Sequence, residues 1–308
     1  MKDRKLLKYL IFAFVLAWPV QAVASWFALQ GNALAFQLVM VLCMFMPLLA
    51  TLLAGIPLKG MGWGLDLKGK WRWVLAAWLV PMALTALGAA LYFLVFPGRL
   101  DLSGEYYRAQ LAGQVGEAAA GEAIAQMEEK GISLQLMSLI SIVQALTYAP
   151  LINTVISLGE EVGWRGAMLP RLKARFGRRG GWLLGGVIWG AWHWPVMILA
   201  GYEYGLEYWG APVLGPIVFC LFTTAIGLLL DLCYEKTGSI WIPSLGHGAV
   251  NAAAGIPMLL LNPEYADGMI LGPCMNGLIA GLPLLALALY VLIRAKTPSS
   301  SAPETLAA

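Results

Sequence analysis

Long runs of apolar residues, interrupted by short polar segments, dominate the chain. An apolar run of about 20 residues is long enough to cross the hydrocarbon core of a bilayer as a helix. Eight segments of this kind occur, at about 6–29, 34–55, 72–96, 133–158, 182–200, 212–232, 240–261 and 271–293. The pattern therefore predicts an all-α fold, a polytopic membrane helix bundle with about eight transmembrane helices.

No segment between these runs has the composition of a separate soluble domain. We therefore predict a single transmembrane domain over residues 1–296, with its core at about 132–262. The longest connection, at about 97–131, is acidic, and we expect it to form a solvated or surface-lying helix. Residues 297–308 are rich in Ser, Pro and Ala, which predicts a disordered tail.

The first 24 residues allow two interpretations. A basic start, a short apolar run and the triplet Ala22-Val23-Ala24 are typical of a cleaved signal peptide. The apolar run continues through Trp26 and Phe27, however, which favours an uncleaved first membrane helix.

The amino-acid composition limits the classes of protein to which the chain can belong. Hydrophobic residues make up 60% of the 308 residues and charged residues 12%, whereas a soluble globular chain carries about 25% charged residues. These values exclude a soluble enzyme, a disordered chain and a nucleic-acid-binding protein, and they make the lipid bilayer the expected partner. The four cysteines show no C-x-x-C spacing, so they predict no disulfide or metal framework.

The basic residues predict the orientation. With eight spans and the N-terminus inside, 17 of the 20 Lys and Arg residues fall in the inner segments. Because Lys and Arg are enriched in cytoplasmic loops, this split predicts a multi-pass protein of the plasma membrane with both termini cytoplasmic.

Ionisable residues in apolar segments are the candidates for function. Glu161 and Arg165 are four residues apart, so on a helix they share a face and can pair. The adjacent Glu160 points about 100° away and can face another helix. Repulsion between neighbouring carboxylates favours a proton on one of them, whereas Arg165 holds the other ionised. A cytoplasmic helix end, where carboxylates are well solvated, is the alternative interpretation.

Both histidines of the chain lie in or beside apolar runs. His193 lies about 17 Å of helix into the fifth predicted span, on one face with Gly186 and Gly190, where a neighbouring helix can approach closely. His247 and Asn251 are four residues apart and project from one face of the seventh predicted span.

The fourth, fifth and seventh predicted spans each have an end on the cytoplasmic side. We therefore expect Glu160, His193, His247 and Asn251 to meet at similar depth, in a cavity that opens to the cytoplasm. A zinc ion held by both histidines and Glu160 is one way to use this set, although the H-E-x-x-H motif is absent.

The alternative needs no metal and no other cofactor. Glu160 would take a proton from a water molecule that His193 holds, and His247 and Asn251 would donate hydrogen bonds to the developing oxyanion. That chemistry is amide hydrolysis inside a membrane cavity.

The same residues resemble three motifs of the CAAX prenyl-protease type II family, also called the CPBP or ABI intramembrane proteases. Residues 160–166, EEVGWRG, resemble the motif E-E-x-x-x-R, and residues 247–251, HGAVN, resemble H-x-x-x-N. Residues 189–195, WGAWHWP, resemble F-x-x-x-H, with Trp189 in place of Phe as in a bacterial subgroup. The order and the spacing agree over about 150–255.

This resemblance implies an intramembrane glutamic endopeptidase of a bacterial plasma membrane, cleaving near the cytoplasmic side. By position, Glu160 is the general base, His193 positions the water, and His247 with Asn251 form the oxyanion site. Glu161 and Arg165 are implied to be supporting residues. The implied partner is a peptide or protein substrate at the membrane, which in some relatives is lipid-modified.

Two other functions stay open at this point. A non-catalytic immunity or scaffold protein on the same fold would keep the helices and tolerate the loss of Glu160. A coupled transporter would also use intramembrane acid–base groups, but the sequence shows no inverted repeat.

Overall fold

The computed structural model describes residues 3–295. Within this range the chain is helical and forms no β-strand, which confirms the prediction of an all-α fold. The helices are α1 (Arg4–Leu29), α2 (Ala33–Cys43), α3 (Met46–Leu53), α4 (Trp71–Val95), α5 (Glu105–Val115), α6 (Glu117–Glu129), α7 (Leu134–Leu146), α8 (Ala149–Glu161), α9 (Leu169–Trp192), α10 (Trp194–Ala200), α11 (Leu214–Thr237), α12 (Trp241–Ala253) and α13 (Leu282–Arg294). The segment Val162–Met168 is π-helical and joins α8 to α9. The predicted tail lies outside the described residues.

Length and hydropathy qualify four helical segments of the described chain as membrane spans. They are α1, the segment that combines α2 and α3, then α4, and finally α11. The bent unit formed by Leu134–Leu146 and Ala149–Trp192, with an angle of 53°, is a fifth candidate. Several apolar helices thus support a multi-pass membrane protein. Helices α12 and α13 have 13 residues each, fewer than the roughly 20 that cross a bilayer, so the number of eight spans stays a prediction.

The predicted end of the fourth membrane helix, at about residue 158, is wrong. Helical backbone does not stop near residue 158 but continues through the π-helical segment into α9, because that segment is itself apolar and buried. The helix direction changes only at Gly177, where φ is 72° and ψ is 170°. Glu160 therefore lies about 24 Å of helix before this change of direction, deep in the bundle rather than at a helix end.

The last predicted span also starts later than expected. Helix α13 begins at Leu282, and residues 272–281 form an irregular connection instead of helix. Met275 and Ala280 of this connection are buried, so its apolar residues pack against the protein core. The acidic connection contains two surface helices, α5 and α6, which meet at Gly116.

Glycines set the closest helix approaches around the core. A Cβ atom on Gly248 of α12 would lie 2.7 Å from the carbonyl oxygen of Pro150 in α8. Helix α11 approaches α9 in the same way, because the Thr223 hydroxyl donates a 2.9 Å hydrogen bond to the carbonyl oxygen of Gly186. The close approach predicted at Gly186 and Gly190 is thereby confirmed. These contacts pack α12 closely on α8 and α11 closely on α9.

Ion pairs between charged side chains link α9 to α11 at one end of the bundle. Lys173 contacts the buried carboxylate of Asp231 at 2.7 Å and Glu235 at 3.1 Å, and Arg178 pairs with the same Glu235. The Trp182 indole N–H donates to Asp231 at 2.6 Å. This Lys/Arg-rich end lies at the C-terminal end of α11, and the connection before α11 lies at the opposite end.

The orientation in the membrane is testable with reporter fusions. Because the basic residues predict eight spans with cytoplasmic termini, a reporter fused after Lys236 should lie in the cytoplasm, and one fused after Lys130 should lie outside. Paired alkaline phosphatase and fluorescent protein fusions measure this directly. Equal readings at the two positions would contradict the predicted topology.

Candidate active site

The continuous helix from α8 into α9 places two carboxylates inside the protein. Glu160 is 2% exposed and Glu161 0%, and Arg165, one turn further on, is 1% exposed. Buried charges are tolerated only when they are paired or hydrogen-bonded. The contacts of these three side chains therefore define the site.

Glu160 is held by two indole groups. Its Oε2 atom accepts hydrogen bonds from Nε1 of Trp164 at 2.8 Å and from Nε1 of Trp189 at 2.7 Å. Hydrogen bonds to an ionised acceptor are stronger than neutral ones, so the two donors orient the carboxylate. Among the described residues no donor contacts Oε1, and Glu160 lines an internal cavity. One oxygen is thus fixed and the other is available to a molecule in the cavity.

Glu161 connects two basic side chains. Its Oε1 atom accepts from Nη1 of Arg165 at 2.8 Å, which confirms the predicted pairing. The same oxygen accepts from Nδ1 of His247 at 2.8 Å, a contact that links α8 to α12. The neighbouring carboxylates therefore have different partners, as the 100° angle between them requires, and Glu161 contacts the candidate site directly through His247.

His193 lies at the break between α9 and α10. Its Nδ1–H donates to the carbonyl oxygen of Trp189 at 3.0 Å, so in the neutral ring Nε2 is the free acceptor. The ring packs edge-on against Trp192 and Phe219, with centroids 4.7 and 5.1 Å apart. The side chain is thus held in one orientation with one known tautomer.

A cavity of about 570 Å³ joins these side chains. Its wall includes all four candidate catalytic residues, Glu160, His193, His247 and Asn251. Asn251 is exposed, and it lies one helical turn after His247 on α12. The tertiary structure therefore brings side chains from α8, the α9–α10 junction and α12 to one space.

The cavity reaches two of the interhelical connections. Its wall also contains Tyr202 and Glu203, in the connection before α11, and Asn276, in the connection before α13. The expected opening of this cavity toward the cytoplasm stays a prediction.

The sequence does not predict the contribution of three residues to the site, namely Trp164, Trp189 and Glu203. Trp164 and Trp189 appear in the motifs, but their donor role toward Glu160 depends on how the helices pack. Glu203 follows a helix in an aromatic-rich connection, and a charged residue in a loop gives no signal of burial. Only the side-chain contacts identify them.

The zinc hypothesis is not favoured by the donor set. Within residues 3–295 no group of three or more His, Cys, Asp or Glu side chains is arranged to hold a metal ion. Oε2 of Glu160 already accepts two N–H bonds, and Nδ1 of His247 donates to Glu161. Donors directed at the carboxylate would compete with a cation at that oxygen.

The fold and this site define a multi-pass membrane protein with a buried carboxylate–imidazole site. The family model described as type II CAAX prenyl endopeptidase Rce1-like matches residues 142–253, which is less than half of the chain. The match contains Glu160, Glu161, Arg165, His193, His247 and Asn251. The resemblance inferred from the three motifs is thus confirmed, and the family is one of membrane proteases. No curated protein matches the chain.

The role of Trp189 can be tested by removing its N–H group. Trp189→Phe keeps an aromatic ring beside Arg165 and His247 but removes one of the two donors to Glu160. Since a hydrogen bond to a charged group contributes about 1.5–3 kcal/mol, we expect the proteolytic rate to fall by roughly tenfold to a hundredfold.

Trp182→Phe is the matched control for this variant. It also removes an indole donor to a buried carboxylate, but that carboxylate is Asp231, at 2.6 Å, and neither residue lines the cavity. Rate and thermal unfolding should be measured for both variants. Equal rates for the two variants at equal stability would show that the bond to Glu160 has no role in catalysis.

Proposed function

We propose that this protein is an intramembrane glutamic endopeptidase, in which Glu160 activates a water molecule for attack on a peptide bond. The observation that carries the proposal is the different bonding of the two adjacent carboxylates. Glu161 is paired with Arg165 and His247, whereas Glu160 keeps Oε1 available to the cavity. The family match supports the reaction class.

The first step forms the bond between water and the substrate. A water molecule between Glu160 and His193 donates one hydrogen bond to each, with Nε2 of His193 as acceptor. As the water oxygen attacks the carbonyl carbon, the leaving proton moves to Oε1 of Glu160. The carbonyl oxygen becomes an oxyanion.

His247 and Asn251 are placed to stabilise that oxyanion. Because Nδ1–H of His247 donates to Glu161, a donor at Nε2 requires the imidazolium form. The Asn251 amide supplies a second N–H donor from the same helix face. Removing one such donor typically costs about 10²–10³ in rate.

The second step breaks the peptide bond. When the tetrahedral intermediate collapses, the C–N bond breaks and the nitrogen takes the proton from Glu160. The products are a carboxylic acid and an amine, which become a carboxylate and an ammonium group when the acid proton passes to the amine, and Glu160 returns to its ionised form. The substrate class that fits is a peptide segment of a membrane-associated protein, since the site lies inside a bundle of apolar helices.

The two carboxylates should respond differently to neutral substitution. Glu160→Gln keeps the shape and the acceptor oxygen but removes the base, so cleavage should nearly vanish while the thermal unfolding temperature changes little. Glu161→Gln leaves Arg165 and His247 without their counter-charge, and breaking a buried pair costs about 3–5 kcal/mol. It should therefore lower both the unfolding temperature and the rate.

Mass spectrometry of the peptides released from membranes measures cleavage by the wild type and each variant. Thermal unfolding of each purified variant in detergent measures its stability. Full activity of Glu160→Gln together with loss of activity in a fully stable Glu161→Gln would reverse the two assignments. Wild-type cleavage by both variants would refute the glutamic mechanism, and the absence of cleavage by the wild type itself would favour the non-catalytic immunity or scaffold function on this fold.

Chelator treatment separates the glutamic mechanism from the zinc alternative. Because the proposed steps use only side chains and water, EDTA or phenanthroline should leave the cleavage rate unchanged. Stoichiometric zinc in the purified protein, with loss of activity on chelation and recovery on adding zinc, would refute the mechanism.

A further inference from the structure

A second carboxylate, that of Glu203, lines the same cavity as Glu160. Glu203 lies in the connection between α10 and α11, and its side chain is half-buried. It has a φ of 75° and is the one non-glycine residue with positive φ within residues 3–295. A left-handed backbone at such a residue costs about 1–2 kcal/mol. The surrounding structure must therefore hold Glu203 in place against this cost.

Several hydrogen bonds hold Glu203 and the residue that follows it in place. Nδ2 of Asn276 donates to Oε2 of Glu203 at 2.6 Å. The next residue, Tyr204, is buried and donates from its hydroxyl to the carbonyl oxygen of Asn276 at 2.7 Å. The backbone N–H of Met269 donates to the carbonyl oxygen of Tyr204 at 3.1 Å. The connection before α11 and the connection before α13 are thus bonded to each other around this carboxylate.

Within residues 3–295, the lining of the cavity supplies no counter-charge to Glu203. None of the described lining residues is Lys or Arg. Phe36 and Tyr202 line the same cavity and pack on each other with a centroid distance of 6.0 Å. A carboxylate in a cavity with an aromatic wall, without a cation of its own, is an arrangement that binds an ammonium or guanidinium group.

Burial raises the pKa of Glu203 to about 7, although hydrogen bonds from Tyr202 and Asn276 act in the opposite direction. A carboxyl group with a raised pKa is neutral below that pH and ionised above it. Tests of a charged interaction therefore belong at pH 8.5.

We propose that Glu203, held by Asn276 in a cavity that Phe36 and Tyr202 also line, is a specificity subsite that binds a cationic group of the substrate peptide, a Lys or Arg side chain or the free amino terminus. This inference rests on the proposed function, because Glu160 and Glu203 line the same cavity. The peptide then carries its cation toward Glu203 while the scissile bond lies at Glu160.

Cleavage of a peptide library tests the subsite. The library contains matched peptides with Lys or norleucine at each position, each with a free or an acetylated amino terminus, and peptides cleaved by the wild type but not by Glu160→Gln are scored. We expect wild type to prefer the cationic peptides, and Glu203→Gln to reduce that preference at least tenfold. A preference that acetylation abolishes identifies the amino terminus as the bound cation, and one that survives acetylation identifies the side chain.

Glu207→Gln is the matched control, since Glu207 lies on the same connection but is exposed and outside the cavity wall. It should keep the wild-type preference. Glu203→Lys should reverse the preference toward Asp and Glu peptides, an effect that a merely structural role would not produce. Unchanged cation preference in Glu203→Gln overturns the proposal.

A binding measurement keeps this proposal separate from the proposed reaction. Hexylguanidinium, with hexan-1-ol as its neutral counterpart, is titrated into the full chain in detergent at pH 8.5 while thermal unfolding is recorded. The cation alone should raise the unfolding temperature of wild type and of Glu207→Gln, and its apparent affinity should fall at least tenfold in Glu203→Gln. Equal stabilisation of Glu203→Gln and wild type would overturn the subsite even if cleavage is confirmed. Selective stabilisation of wild type would support it even if no peptide is cleaved.

Discussion

The carboxylate of Glu161 is the interaction on which the rest of the site depends. It is fully buried and joins Arg165 of the π-helical segment to His247 of α12 through one oxygen atom. Taking charges out of water costs several kcal/mol for each ion, and only paired geometry offsets that cost. Glu161 therefore keeps α8 and α12 in register and determines which atoms of His247 face the cavity.

Trp189 extends this arrangement to the other carboxylate. Its ring lies under the guanidinium of Arg165, with Cζ 4.5 Å from the ring centroid, and its N–H donates to Glu160. Its backbone carbonyl accepts from His193, and its ring packs 5.2 Å from that of His247. One side chain and its carbonyl thus contact every charged or imidazole group of the site except Glu161. A phenylalanine at this position would fill much of the space and would lack the donor.

Close helix packing explains how the polar side chains of the site are accommodated inside the apolar bundle. Gly248 and Gly186 let α12 and α11 approach their neighbours closely, so side chains from three elements reach each other across short distances. Glu160, Glu161 and Arg165 each have at least one hydrogen-bonded partner within the protein, as an apolar environment requires. The cavity is lined by the carboxylates of Glu160 and Glu203 and by aromatic side chains, so its chemistry differs from that of the salt-bridged Lys/Arg-rich end.

The sequence by itself determined the all-helical membrane class, the family resemblance and the pairing of Glu161 with Arg165. Each of these depends on local periodicity: runs of about 20 apolar residues and spacings of four along a helix. Tertiary structure alone decided that Glu161 also contacts His247, that two indoles hold Glu160, and that Glu203 shares the cavity. Those contacts join residues as far as 86 positions apart. The hydropathy pattern did not predict the depth of Glu160, because the helix continues through the π-helical segment. Hydropathy shows where apolar residues lie along the chain but not where the chain changes direction.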